Sequence, residues 1–224
     1  QRSSGGNTGY FLGEVSAAGS PRYFPTVYLL KEPLPVLIAT ATALLFGLYK
    51  IIRGIVARRG KIKTAILDYL TLNFAEFSML AFIALYWAWS IRSPLNIGYR
   101  HLLPTLPFIY ILVARFWKNW VTKIDRPESP LGGLQLAWFW IRAFFRSSVK
   151  YIFLVILLLW AFFETAVAAP HFLSYFNQFG GGTRNGYRSV TDSNYDWGQD
   201  LLLLRGWVEA HPEVDKIAVD YFGG

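Results

Sequence analysis

Long apolar stretches, each about twenty residues, alternate along this chain with short polar segments. At ~1.5 Å of helix per residue, each stretch is long enough to cross a hydrocarbon layer ~30 Å thick. Prolines stand where such helices begin and end, with Pro33 and Pro35 at the start of the first stretch and Pro170 after the last. The pattern predicts an all-α polytopic protein with four transmembrane helices, at 34–52, 67–91, 102–121 and 150–169.

The segments around these helices differ in composition and predict three regions. Residues 1–33 are rich in Gly and Ser and then aromatic, which is typical of an extracytoplasmic loop lying on a membrane surface. Residues 34–170 form the transmembrane region, in which the Trp- and Phe-rich segment 131–145 predicts an interfacial helix. Residues 171–224 are predicted to begin a small extracytoplasmic α/β domain, with a helix over 198–210 and a strand over 217–222. We expect the natural chain to be longer than these 224 residues.

Composition and charge narrow the class of protein. The chain is 54% hydrophobic and only 16% charged, which argues against a soluble domain. The net charge is +8, but the basic residues lie between apolar stretches rather than on one polar face. Nucleic acid is therefore not an expected partner. Lys and Arg concentrate in two connecting loops, 53–63 and 118–147, which predicts that both loops are cytoplasmic and both ends extracytoplasmic. We expect a bacterial cytoplasmic membrane location, with membrane lipid as a partner.

Glu76 and Glu164 lie more than one turn from either end of predicted helices, where exposure to lipid would be costly. Glu76 is expected to pair with a basic residue across the bundle, either Lys50 or Arg115. Glu164 lies near the predicted outer surface, where it would hold Arg100 or face a cavity. The sequence does not decide between these two roles for Glu164.

The densest polar segment is 183–200 (TRNGYRSVTDSNYDWGQD). Amide, carboxylate and aromatic groups of this kind bind sugars, but a turn-rich loop that caps the following helix has the same composition. A calcium loop is disfavoured because Trp197 and Leu203 occupy positions that need Gly and Glu. The candidate sugar- or acceptor-binding residues are Asn185, Tyr187, Arg188, Asp192, Asn194, Asp196 and Trp197.

A second polar segment, 95–104, precedes the third predicted helix. Arg100 and His101 lie there at the expected depth of lipid headgroups. Guanidinium forms bidentate, charge-assisted hydrogen bonds with phosphate oxygens, which makes Arg100 a candidate for binding a phosphate or pyrophosphate. An interfacial anchor for ordinary lipid is the alternative interpretation.

Four groups of motifs resemble one known family. They are GYFLGE (9–14) with YFP (23–25) and KEPLP (31–35), NIGYRHLLPTLP (96–107), PHFLSYFN (170–177) with GGG (180–182), and DSNYDWGQDL (192–201). In these motifs the chain resembles the polytopic membrane glycosyltransferases of the GT-C fold, specifically bacterial relatives of the dolichyl-phosphate-mannose protein mannosyltransferases of glycosyltransferase family 39.

The resemblance implies transfer of a sugar from a polyprenyl-phosphate donor to an extracytoplasmic acceptor, in an inverting and often metal-assisted reaction. It further implies that the chain is the carboxy-terminal portion of such an enzyme, with the catalytic carboxylates upstream of residue 1 and with this portion alone inactive. Arg100, His101 and Lys31 would contact the donor phosphate, supported by Glu164. No metal or other cofactor is expected in these residues, and a divalent metal would belong to the full-length enzyme.

Two other classes of function compete with the enzyme. A catalytically inactive structural or accessory subunit of a membrane complex, derived from such an enzyme, is a serious alternative because these residues offer no clear general base. A transporter is disfavoured, since only Asn73 and Glu76 are polar near the middle of a predicted helix.

Overall fold

The computed structural model describes residues 8–57, 62–123, 132–195 and 197–219. These residues are mostly helical, and their only sheet is a two-stranded antiparallel hairpin. The strands are β1 (Gly9–Phe11) and β2 (Glu14–Ser16). The longer helices are α1 (Tyr23–Lys31), α2 (Leu34–Ala57), α3 (Ile62–Leu72), α4 (Phe74–Arg92), α5 (Leu106–Thr122), α6 (Gly133–Val167) and α8 (Leu201–Ala210), with the short α7 (Gly182–Asn185) before α8.

Three of the described helices are long and apolar enough to cross a membrane, namely α2, α4 and α6. The prediction of four such helices is not confirmed. The third predicted helix, 102–121, begins as a 3₁₀ helix over Tyr99–Thr105 and continues as α5, which has only 17 residues. Pro104 lies inside the 3₁₀ helix and Pro107 in the first turn of α5; proline has no backbone N–H, which favours a change of helix type there.

The other predicted boundaries also shift. The stretch 67–91 is divided between α3 and α4 around Asn73. The interfacial helix expected over 131–145 and the helix expected over 150–169 are instead one continuous helix, α6, of 35 residues. Arg142, Arg146 and Lys150 interrupt the apolar pattern but are good helix formers, so they change the polarity of α6 without ending it.

The chain divides into two compact units. The first contains residues 1–32, 89–102 and 168–224, and the second contains residues 33–88 and 103–167. Each unit is therefore assembled from segments that are far apart in the sequence.

In the second unit, α2, α5 and α6 pack together around Trp117 of α5. This indole is almost fully buried, and its Nε1 donates a hydrogen bond to Ala39 O of α2 at 3.2 Å. Phe153 of α6 lies 5.9 Å from it between ring centres. Away from this contact most large apolar side chains of α2 and α6 are exposed, as expected for helices whose surroundings are lipid.

The expected pairing of Glu76 with a basic residue is confirmed, and the partner is Arg115. Arg115 Nη1 lies 2.8 Å from Glu76 Oε2, and Arg115 Nη2 donates to Asn73 Oδ1 at 3.3 Å. The bond joins the start of α4 to α5 and compensates a carboxylate in an otherwise apolar helix.

The first unit contains the hairpin, α1, a set of single-turn helices and α8. The hairpin pairs Gly9 with Ser16, and Phe11 also bridges to Val190. The helix expected over 198–210 is present as α8. The strand expected over 217–222 is not seen at 217–219, and residues 220–222 lie outside the described part of the chain. The α/β character expected of this region is therefore not confirmed.

Candidate functional site

Asn177 is a hub of hydrogen bonds in the first unit. Its side chain is 1% exposed, and its Nδ2 donates to Leu29 O at 2.6 Å and to Glu32 O at 2.8 Å. Its Oδ1 accepts from Phe179 N at 3.0 Å and from Gly180 N at 3.2 Å. One amide therefore satisfies the carbonyls at the end of α1 and begins the 3₁₀ turn Gln178–Gly180. The sequence analysis did not single out this residue.

Asn194 has the same role for another pair of segments. It is 1% exposed, its Nδ2 donates to Tyr23 Oη at 2.7 Å and to Thr191 O at 3.1 Å, and its Oδ1 accepts from Tyr99 N at 2.8 Å. Burial raises the pKa of Tyr23 to about 12, so the phenol stays neutral. Asn194 was predicted as a sugar-binding residue, but its polar atoms are used inside the protein.

Lys31, a candidate phosphate ligand, is buried in the structure with 9% of its surface exposed. Its Nζ donates to Leu173 O at 2.5 Å and to Asn194 O, and lies 4.3 Å from the centre of the Phe176 ring. Burial lowers the pKa of Lys31 to about 7, because removing an ammonium from water disfavours its charged form. Beside it, the buried Glu32 accepts a hydrogen bond from Tyr99 Oη.

Close contacts explain why glycine occupies two positions in the polar segments, Gly98 and Gly186. Gly98 has φ +149°, and a Cβ built there would lie 2.2 Å from Ser193 Oγ. Ser193 Oγ in turn donates to Ile97 O, which ties the 96–107 motif to the 192–201 motif. At Gly186 a Cβ would lie 2.0 Å from Cδ2 of the buried Phe176 ring. A side chain at either position would displace the neighbouring segment.

Arg100 and Trp197 lie against each other. The guanidinium carbon is 4.2 Å from the centre of the indole ring, and the ring is 55% exposed. In the described part of the chain no carboxylate forms an ion pair with Arg100. A guanidinium held by its face keeps its N–H edges available for an anion.

His101, next to Arg100, is packed edge-on against Phe24. Its Nε2 is buried and has no hydrogen-bond partner among the described residues. Burial, and to a smaller extent the positive charge of Arg100, lower the pKa of His101 below its usual value. The imidazole is therefore neutral at pH 7 and has an unused nitrogen beside a guanidinium.

Four other candidates lie on the surface. Asn185 and Arg188 are exposed, Tyr187 is 47% exposed, and Asp192 is exposed with φ +59° while its Oδ1 accepts from Ser193 N at 2.6 Å. Tyr187 lies edge-on to Tyr195, with ring centres 6.3 Å apart. Asp196 lies outside the described residues.

Glu164, the expected support for Arg100, belongs to the second unit. There its Oε1 accepts a hydrogen bond from Leu34 N, the first residue of α2, at 3.4 Å. A carboxylate at a helix N-terminus satisfies a backbone N–H that has no partner within the helix and interacts favourably with the helix dipole. The predicted role of Glu164 toward Arg100 stays a prediction.

A polar cleft of about 360 Å³ lies in the first unit beside the hairpin. Its lining includes Glu14, Arg22, Tyr23 and Asn96, together with backbone of β1. Sequence reasoning missed this cleft because its walls come from separate segments. Among the described residues, no group of three or more His, Asp or Glu side chains is placed to hold a metal ion.

Comparisons of the chain with protein-family models, with curated proteins and with solved structures found no match.

Proposed function

We propose that this chain belongs to an integral membrane glycosyltransferase that transfers a sugar from a polyprenyl-phosphate donor to an extracytoplasmic acceptor. The proposal includes the GT-C fold and a bacterial cytoplasmic membrane as its location. It orients the basic segments 53–63 and 118–147 toward the cytoplasm and both ends of the chain away from it, since basic loops are retained on the cytoplasmic side.

The observation that carries this proposal is the pair formed by Arg100 and His101. Arg100 presents its N–H edges while Trp197 holds its face, and His101 adds a neutral imidazole nitrogen that lacks a partner among the described residues. Phosphate oxygens match the N–H edges of Arg100, because a guanidinium donates two parallel hydrogen bonds, and the neutral His101 beside it, whose Nε2 is buried, adds no competing charge. Lys31 supports the pair indirectly by holding Asn194, which in turn fixes Tyr99 next to Arg100.

The acceptor or the sugar would bind nearby in the first unit. The polar cleft offers the carboxylate of Glu14, the guanidinium of Arg22 and the amide of Asn96, which match hydroxyl groups. The exposed Tyr187 and Trp197 offer ring faces on which a sugar stacks, next to Asn185, Arg188 and Asp192. We leave Asn194 out of this surface because it is buried.

A catalytically inactive accessory subunit is the second candidate. It is favoured by the observation that three buried polar side chains of the first unit, those of Glu32, Asn177 and Asn194, are bonded within the protein. Such a subunit would keep the phosphate-binding pair, so a phosphate-binding measurement tests the site in both candidates. Sugar transfer by the complete protein distinguishes the enzyme from the accessory subunit.

The test is native mass spectrometry of the chain with a polyprenyl phosphate and with the corresponding alcohol. We expect the wild type to prefer the phosphate, and Arg100→Ala to reduce that preference about tenfold or more, since hydrogen bonds to charged groups contribute about 1.5–3 kcal/mol. Arg100→Lys keeps the charge but loses the bidentate geometry and should fall between the two. Arg92→Ala, which removes an exposed arginine of the same unit, is the matched control. An unchanged preference in Arg100→Ala would make this arginine an interfacial anchor only.

A further inference from the structure

A basic pocket lies in the second unit, between the end of α5 and the first half of α6. Its volume is about 160 Å³. Its lining contains four basic side chains, and in the described part of the chain no carboxylate lines it. The lining residues are Lys123, Phe139, Arg142, Ala143, Arg146, Ser147 and Lys150.

Three of the four cations form a stripe along one face of α6. Arg142, Arg146 and Lys150 follow each other at intervals of four residues, so neighbouring members lie one turn apart. Like charges at this spacing repel each other and destabilise an isolated helix. Lys123, at the end of α5, adds a fourth positive charge.

Packing holds two of these cations in place. Lys150 Nζ donates to Trp120 O and to Lys123 O, at 3.1 Å each, and lies 5.4 Å from the centre of the Trp120 ring. The Arg142 guanidinium lies 5.3 Å from the centre of the Trp138 ring. The arrangement is therefore partly formed before any ligand arrives, which reduces the entropy lost on binding.

The length of α6 indicates the depth of the pocket. Its 35 residues span ~52 Å, well beyond a hydrocarbon layer of ~30 Å. Residues 151–167 are almost entirely apolar and account for ~25 Å of that length. The cations at 142, 146 and 150 therefore lie at the membrane–water interface, where tryptophans such as Trp120 and Trp138 are also expected.

We propose that the basic pocket binds the phosphate group of an anionic ligand, either an anionic lipid headgroup or a free phosphate. Basic pockets between helices at the membrane surface are suited to lipid phosphates, and Arg142 provides a planar fork for two phosphate oxygens. This site uses no residue of the Arg100 pair and does not depend on the proposed enzymatic activity.

The experiment uses the full 224-residue chain in nanodiscs and in detergent. Native mass spectrometry compares retention of phosphatidylglycerol with retention of phosphatidylcholine. A parallel thermal-unfolding measurement asks whether inorganic phosphate stabilises the detergent-solubilised chain. The pocket variant is Arg142→Gln with Arg146→Gln, the charge-conserving variant is Arg142→Lys with Arg146→Lys, and the matched control is Arg53→Gln, an exposed cation of α2.

We expect the wild type to prefer phosphatidylglycerol, and the pocket variant to lose about twentyfold of that preference, at roughly fivefold per cation removed. The lysine variant should retain most of it and Arg53→Gln all of it. Stabilisation by inorganic phosphate without a lipid preference, if it is lost in the pocket variant, supports the proposal with a free phosphate as the ligand.

The proposal is overturned if the wild type and the pocket variant behave alike in both measurements. It is also overturned if Arg53→Gln loses as much as the pocket variant, since the effect is then one of total charge. Circular dichroism checks that each variant is folded, and we expect all of them to fold because both arginines are exposed and surface substitutions usually change stability little.

Discussion

The two units differ in what they bury. The first unit buries polar side chains, among them Lys31, Glu32, Asn177 and Asn194, and bonds them to backbone or to each other. The second unit buries few side chains and leaves large apolar groups of α2 and α6 exposed. The first is held by directional hydrogen bonds in its own interior, whereas the second relies on an apolar surrounding. The same kind of substitution should therefore have different effects in the two units.

The sharpest test of this contrast is Asn177→Ala. It leaves two carbonyls and the Phe179 N–H without the amide that bonds them, and each unsatisfied buried group costs about 1–3 kcal/mol. We expect the free energy of unfolding to fall by about 4–5 kcal/mol, measured by denaturant unfolding in detergent with tryptophan fluorescence. Asn185→Ala, which removes an exposed amide of the same unit, should change it by less than about 0.5 kcal/mol. Equal effects would show that the buried amide is not a hub.

The second test uses the pH dependence of stability. Because burial lowers the pKa of Lys31 to about 7 while an unfolded lysine titrates near ~10.4, the unfolded chain binds more protons between these values. We expect the contribution of Lys31 to the free energy of unfolding to rise by up to about 1.4 kcal/mol per pH unit from pH ~7 to ~10. Below pH ~7 both states are charged and this dependence vanishes.

The variant that isolates this effect is Lys31→Met. It should lose the rise in stability between neutral and alkaline pH, whereas Lys216→Met, at an exposed lysine of the same unit, should keep it. Thermal unfolding across this pH range measures the difference. Parallel curves for the wild type and Lys31→Met would contradict the proposed burial of the ammonium.

A smaller contrast is expected at two glycines. Gly186→Ala drives a Cβ into the Phe176 ring and should cost about 2 kcal/mol, as overpacking of a filled interior does. Gly47→Ala, within α2, meets nothing within 4 Å and should stabilise the helix by up to about 1 kcal/mol, since alanine is the better helix former. Thermal unfolding of both variants is the measurement. A loss of stability in Gly47→Ala would show that α2 is more closely packed than its exposed surface indicates.

Parts of the second unit were predictable because charge inside an apolar helix is a strong local signal. Glu76 required a partner, and Arg115 supplies it. The sequence predicted a break in α6 because Arg142, Arg146 and Lys150 are charged residues between two apolar segments. Arginine and lysine are nevertheless good helix formers, so the helix is continuous. The predicted helix 102–121 begins four residues before α5. Leu102 and Leu103 are apolar and match the helical pattern, but they lie in the preceding 3₁₀ helix.

The first unit was harder to predict because its interior is polar. Asn177 and Asn194 are ordinary residues of turn-rich segments, and only their long-range partners show that they are buried. Arg100 was identified as a candidate from its position, but its contact with Trp197, nearly a hundred residues later, has no signal in the sequence. Asp192, by contrast, is exposed at the start of a single-turn 3₁₀ helix, which agrees with the turn-rich composition of segment 183–200.

The hydrogen bonds that close the first unit join very distant parts of the chain. Leu12 N donates to Ser189 O, Tyr10 Oη donates to Arg188 O, and Lys31 Nζ donates to Asn194 O. During synthesis these bonds cannot form until residues 188–194 have left the ribosome, by which time α2, α4 and α6 are already made. Contacts of such high sequence separation also form slowly. We therefore expect the helices of the second unit to form before the first unit closes, because the last of these bonds needs Asn194.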